Sequence, residues 1–532
     1  MKRIYFIIGF LLFLLAGMTY LYFSNLNNIQ VNSNLSLKLA AHNSSLVFSI
    51  QNNRSVLDIL KGQELFNSLI GKEKVALINA LQSTLQSKPE LSQLIDNQNI
   101  YISFLPGENK QIDLLLTMQV MSDAKPETLI NSLKSKNIDV AHTNNLYTIK
   151  LSDSLTIYLG IEKNVVLVST AAAHITSALS SKGDQENTFL EFIQKNDKLS
   201  KNSLASLYIN YNQIPLLLKA ITPAANSAEF SILNKQNAFA HLSYNFSKER
   251  IFFSGETRIN DTNSYYNLFT ALRPEKIDVD KILPDNTANY SLYCTGGYPA
   301  WQKKLADLYV KGNISAAIQA KKQEINSTYH LNLDGTFLPN TGTQFLTFQL
   351  SNKEKLAAIS LTNPDKLRQL LLDLSTDYSP TIKQFREPNL LYYYFGEPLK
   401  LFKKPFYAIV DNFIVVANTP GAIQQFLEKY NANRLLINND AYTRIFDQLS
   451  NTANILFYVN NSLSQSLVID NLYADYYPHY RDKNGLKNFD SFIYQLSSDQ
   501  TSFQTNLFLN TKGGKLPAES SLQADSLQST HK

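Results

Sequence analysis

The first feature of the chain is a run of twenty residues, Ile4–Phe23 (IYFIIGFLLFLLAGMTYLYF), that carries no charge. At ~1.5 Å per residue a helix of that length covers ~30 Å, the thickness of a bilayer's hydrocarbon core. Lys2 and Arg3 precede the run and the next basic residue is Lys38. The positive-inside bias then puts the N-terminus in the cytoplasm and the bulk of the chain outside it. The pattern predicts an uncleaved transmembrane anchor in residues 1–23, touching the lipid bilayer through residues 4–23. The implied address is the bacterial inner membrane, with the bulk in the periplasm. A cleaved signal peptide competes with this reading. Its apolar core would usually span ~7–15 residues and close on a small-x-small site, whereas Tyr20, Leu21, Tyr22 and Phe23 continue the run here. Leu15-Ala16-Gly17 begins like a lipoprotein box, but Met18 stands where only cysteine accepts lipid.

Beyond a polar stalk (24–39) the hydrophobic pattern repeats itself. Lys163–Leu179 (KNVVLVSTAAAHITSAL) and Asp411–Leu427 (DNFIVVANTPGAIQQFL) both read turn, four apolar residues, small-residue junction, helix; the offset is 411 − 163 = 248. Ser44–Phe48 aligns with Tyr290–Cys294 at 290 − 44 = 246, and Leu207–Asn210 with Phe457–Asn460 at 457 − 207 = 250. Leu116–Val120 before Pro126 matches Ala357–Leu361 before Pro364. Similar matches in one order at nearly one spacing are the signature of internal duplication. The division is a first α+β copy at 40–262, a connector at 263–285, a second copy at 286–511 and a disordered tail at 512–532.

Within the first copy, strands are expected at Ser45–Ile50, Ile100–Phe104, Ile112–Val120, Leu146–Leu151, Leu155–Leu159, Val165–Val168 and Leu204–Tyr211, with a hairpin across Phe239–Ile259. Helical segments are expected between Val56 and Ile95, at Pro126–Ser135 (proline suits a first helical turn) and at Ala171–Ser180. Polar links such as Ser152-Asp153-Ser154 are too short for parallel crossovers, so these neighbours should pair antiparallel. The expected fold class is α+β: an N-terminal transmembrane helix, then two tandem, mainly antiparallel sheets, each with helices on one face.

Composition adds limits. Hydrophobic residues make up 44% of the chain and aromatics 11%, as in a folded protein. The net charge of +5 is scattered, which gives no nucleic-acid footprint. Cys294 is the single cysteine, so no internal disulfide forms.

Chemistry is sparse. The histidines (His42, His142, His174, His241, His330, His479 and His531) show no ligand spacing. No nucleophile elbow, phosphate loop or dinucleotide fingerprint occurs. No metal, cofactor or catalytic residue is assigned. His174, opposite Ala422 in the other copy, reads as a solvent-facing helix histidine, and Cys294, aligned with Phe48, as a core residue. Asp278 and Asp280 lie in the connector without a calcium-loop pattern.

The unusual stretch is Tyr473–Asp490 (YADYYPHYRDKNGLKNFD); its counterpart, Ala220–Asn237, has no tyrosine. Tyr473, Tyr476, Tyr477, His479 and Tyr480 are the candidate contact residues for a ligand or partner, because tyrosine offers rigid amphipathic area at low entropy cost. The plainer reading packs them on the sheet as a helix end and turn.

Ala41–Phe48, with the strand-to-helix junctions Val165–Leu179 and Phe413–Leu427, resembles an uncharacterised family of membrane-anchored bacterial envelope proteins known from Bacteroidetes and some other phyla. The resemblance covers roughly 40–512 and implies no activity or site residues. The expected function is a membrane-tethered binding or scaffold protein of the cell envelope, with a protein, lipid or glycan partner. The alternatives are an exported enzyme with a non-contiguous active site and a periplasmic lipid carrier.

Overall fold

The computed structural model describes residues 35–511 apart from 52–62, 72–73, 77–97, 109, 121–138, 144–145, 153–154, 181–186, 197–203, 224–235, 248–249 and 447–448. The run Ile4–Phe23, the expected helix Pro126–Ser135 and the tail 512–532 lie outside the described residues.

The first copy supplies β1 (Leu46–Gln51), β2 (Asn99–Pro106), β3 (Ile112–Gln119), β4 (Asp139–Thr143), β5 (Leu146–Ser152), β6 (Leu155–Glu162), β7 (Val165–Ser169), β8 (Ala205–Asn210), β9 (Ala238–Phe246) and β10 (Arg250–Ile259). The second supplies β11 (Thr287–Cys294), β12 (Thr341–Leu350), β13 (Lys355–Leu361), β14 (Ser375–Asp377), β15 (Lys383–Phe385), β16 (Phe406–Val410), β17 (Phe413–Ala417), β18 (Ile455–Asn460), β19 (Phe489–Asp499) and β20 (Ser502–Thr511). Pairing orders the first copy β4-β5-β6-β7-β3-β2-β1-β8-β9-β10, antiparallel throughout. The second follows the equivalent order, β14-β15-β16-β17-β13-β12-β11-β18-β19-β20. The duplication read from the chain is therefore a duplication of topology. Its turns match as well: Lys163 and Asp411, which open the equivalent β6–β7 and β16–β17 turns, both take left-handed φ, 54° and 45°.

The copies are not separate sheets. β10 pairs antiparallel with β20, with Ser254 opposite Asn506, so that among the described residues these 20 strands form one sheet. Strand starts differ by 502 − 250 = 252 and the facing residues by 506 − 254 = 252. Ser254 thus meets its own counterpart, as at a local two-fold axis. The join also pairs two edges that would otherwise be open to other chains.

Side chains alternate between the faces of a sheet. On the first face one core runs through both copies, from Phe48 and Phe253 to Tyr293, Phe345, Tyr494 and Phe503. Helices Glu64–Ile70, Ile214–Ile221, Tyr298–Lys311 and Leu390–Phe395 bury apolar residues in it. Beneath the seam the hydroxyls of Tyr211 and Tyr494 lie 2.5 Å apart, and Thr505 donates to Thr257 at 2.6 Å. Burial pushes the Tyr211 hydroxyl up to about 12, so it stays neutral and bridges the copies as a hydrogen-bonding group. On the second face the cores are separate. The helix of residues 35–41 with Ala172–Ser180 and Thr188–Asn196 covers the first copy, and Pro420–Asn431 with Asp440–Phe446 covers the second. Leu37 and Leu39 are buried, so the packed fold begins ahead of residue 40.

The expected fold class placed a transmembrane helix before the sheets; among the described residues no helix is long and apolar enough to cross a membrane. Two sheets with helices on one face were expected; the strands form one sheet with helices on both faces, because β10 and β20 satisfy each other's edge hydrogen bonds. The alignment of Ser44 with Tyr290 is off by three residues. Val47 pairs with Tyr208 and Tyr290 with Tyr458, so Val47 is the counterpart of Tyr290, at 290 − 47 = 243. An odd shift sends every side chain to the other face, which is why Phe48 lies in the shared core and Cys294 in the second copy's own core.

Candidate functional site

Between the helices of its separate cores, the second face carries polar residues across the seam. Registers set Ser206, Ser243, Ser254, Asn506 and Gln495 in one row and Tyr208, His241, Glu256, Gln504 and Ser497 in the next. Ser243, Ser254, Glu256 and Asn506 are half-buried, while Arg258 and Gln504 are exposed. Glu256 Oε1 and Arg258 Nη2 form an ion pair at 3.1 Å. Asn506 donates to Gln495 Oε1 at 3.3 Å, and Gln495 in turn donates to the carbonyls of Ser450 and Thr452, at 2.7 and 3.1 Å. The His241 ring stacks on Tyr208 with centroids 4.9 Å apart and places Nε2 3.3 Å from Ser206 Oγ. Burial lowers its pKa, which keeps the ring neutral at pH 7. At the opposite border Phe252 stacks on Phe508 at 4.3 Å. In the chain these residues are ordinary alternating positions of five strands. The one available signal was that β10 and β20 are polar on the face where Phe253 and Phe503 are not.

The tyrosine segment lies elsewhere and spans the two copies. The Tyr473 amide donates to the Ile221 carbonyl at 3.0 Å, and the Lys110 ammonium lies 4.4 Å from the centre of the Tyr473 ring. Thr222 Oγ1 donates to the Asn471 carbonyl. His479 Nε2 donates to the Leu69 carbonyl at 3.2 Å, and its ring sits over Gly71, whose φ of 94° and missing Cβ leave room for it. Tyr480 is buried and donates to Asn461 Oδ1 at 2.9 Å, and Tyr477 is half-buried under Arg481. The Tyr476 hydroxyl is buried beside Ile112. Tyr473, Tyr476 and His479 thus brace the second copy onto the first, while Tyr477 and Tyr480 pack on Arg481 and Asn461 of their own copy.

This brace has a pH signature. Burial lowers the His479 pKa, aided by Lys74 and opposed by the Leu69 carbonyl and Asp482. A depressed folded pKa contributes stability that is complete above the unfolded value of about 6.5 and is lost as pH falls through the folded value. Protection factors in 464–488, which correct exchange for its intrinsic pH dependence, are expected to fall between pH 7.5 and 5, and that fall should vanish in His479→Gln. An equal fall in that variant would assign it to another group.

Catalytic geometry is split over two histidines. Asp113 Oδ2 holds His174 Nε2 at 2.9 Å while Thr170 donates to Asp113 Oδ1 at 3.1 Å. His174 is thus not the solvent-facing residue expected, since its partner comes from a strand 61 positions away. One turn along the helix, Ser177 Oγ faces His42 Nε2 at 3.2 Å, and that nitrogen also takes the Asn43 amide at 3.1 Å. A nucleophile–base–carboxylate relay needs one imidazole between serine and acid; here each has its own. Cys294 is fully buried, and burial pushes its thiol well up, away from the reactive thiolate. Among the described residues no group of His, Cys, Asp and Glu is placed to hold a metal ion.

The profile of a family described as "Protein of unknown function (DUF3352)" matches residues 347–507. That span runs from β12 into β20 of the second copy, in keeping with the resemblance to an uncharacterised family. No curated protein and no solved structure matches the chain.

Proposed function

We propose that this chain is a binding or scaffold protein of the bacterial cell envelope. The observation that supports the reading is the polar stripe over the β10–β20 seam, partly open to solvent in the middle of the sheet. Side chains held by a continuous ladder lose little freedom when a partner arrives. The enzyme reading is weaker, because serine and carboxylate are served by different histidines. Native mass spectrometry of the full-length protein, extracted gently from its own cells, tests the proposal. We expect a retained macromolecule that is lost in Ser254→Trp, which fills the centre of the stripe. A bare protein that turns over an ester, peptide or glycoside, and stops doing so in His42→Ala or His174→Ala, would refute it.

A further inference from the structure

We infer that the polar stripe across the β10–β20 seam binds a neutral polysaccharide chain laid across the strands. This rests on the binding reading above and names its ligand class.

Sugar hydroxyls donate and accept at once, and are matched by side chains that do both. Serine hydroxyls and the amides of asparagine and glutamine have that capacity. Ser243, Ser254 and Asn506 follow one another in a single cross-strand row, with Gln504 in the next. Neighbouring strands lie ~4.8 Å apart, close to the length of one pyranose ring in an extended glycan. A chain crossing the strands therefore meets about one polar side chain per ring. Each border of the stripe offers a ring face, half-buried Phe252 on Phe508 and half-buried His241 on Tyr208, where the C–H face of a sugar can rest.

Charge selects against other polymers. Glu256 and Arg258 neutralise each other, and His241 is neutral. A phosphate backbone or an anionic lipid surface needs uncompensated cations, and among the described residues of the stripe there are none. Its floor is set in advance, because Gln495 is tied to two carbonyls and holds Asn506 through its Oε1.

Affinity electrophoresis tests this with full-length protein in native gels containing dextran, xyloglucan or galactomannan. At least one polymer is expected to retard the protein. Asn506→Ala should weaken that retardation at least tenfold and exposed Gln504→Ala two- to threefold, with circular dichroism unchanged in both. No retardation by any of the three, or retardation untouched by both substitutions, overturns the inference. A retained protein partner that Ser254→Trp removes would overturn the glycan and leave the binding reading standing. A bare protein with hydrolytic turnover would sink both.

Discussion

Gly255→Ala is expected to destabilise the protein by about 3 kcal/mol, the upper end of the usual range for overpacking, because the atoms it meets cannot rotate away. A Cβ on Gly255 would lie 2.0 Å from the His241 carbonyl oxygen and 3.0 Å from both the His241 carbonyl carbon and Leu242 Cα. All are backbone of β9, the strand that ties the seam to the first copy. Relief requires β9 and β10 to separate where β10 also pairs with β20. The damage should therefore reach the join between copies as well as the hairpin. Thermal unfolding and limited proteolysis measure it, with Gly421→Ala as the control. Gly421 is in a helix with nothing within 4 Å of its would-be Cβ, so alanine there should be neutral or gain up to about 1 kcal/mol. Equal stability of the two variants would show that β9 and β10 yield at no cost.

Asp334→Ala should cost about 1–3 kcal/mol, the range for removing one partner from a buried charged donor, because Lys322 is buried while the Asp334 side chain is half exposed and partly screened by solvent. Lys322 is 5% exposed, and its ammonium reaches Asp334 Oδ1 at 2.6 Å. The Tyr394 hydroxyl donates to the same oxygen at 2.6 Å, and the Tyr394 ring lies 4.4 Å from the ammonium. Without the carboxylate, the Tyr394 ring face remains as the described partner of the ammonium. Because the loss comes from the stranded ammonium, Lys322→Met in the same chain should restore most of it, and denaturant titration of the single and double variants reads this out. If the double variant is no more stable than Asp334→Ala, the loss lies in the tyrosine contact instead. Burial alone would raise the Asp334 pKa, but Lys322 and Tyr394 outweigh it and hold it below the usual carboxylate value. The contribution is thus complete above about pH 4 and is lost as pH falls through the folded value. Acid sensitivity from this site should be absent from Asp334→Ala.

The parts that could be read along the chain share a local cause. Strands β1, β2, β3 and β5–β10 were legible because each buries a face and so alternates or runs apolar, and their short polar links allow only antiparallel neighbours. The helix Ala172–Ser180 was legible from its apolar spacing. β4 was missed: Asp139–Thr143 is a polar end strand with little buried face to pattern it. Of the candidate residues, Tyr473–Tyr480 could be found because clustered aromatics stand out in any window. What they touch could not, since Leu69, Gly71, Lys110 and Ile221 lie hundreds of positions away.

The sequence by itself determined that the fold occurs twice, with the same strands in the same order, because each copy must repeat its own local periodicity to form at all. Only the tertiary structure decided that the copies share one sheet. Edge pairing is made by backbone groups, which every residue but proline carries, so nothing in the side chains announces that β10 will meet β20. The same holds for the polar stripe. Ser254 and Asn506 are unremarkable in their own strands and become a surface only when the register of the seam places them opposite each other.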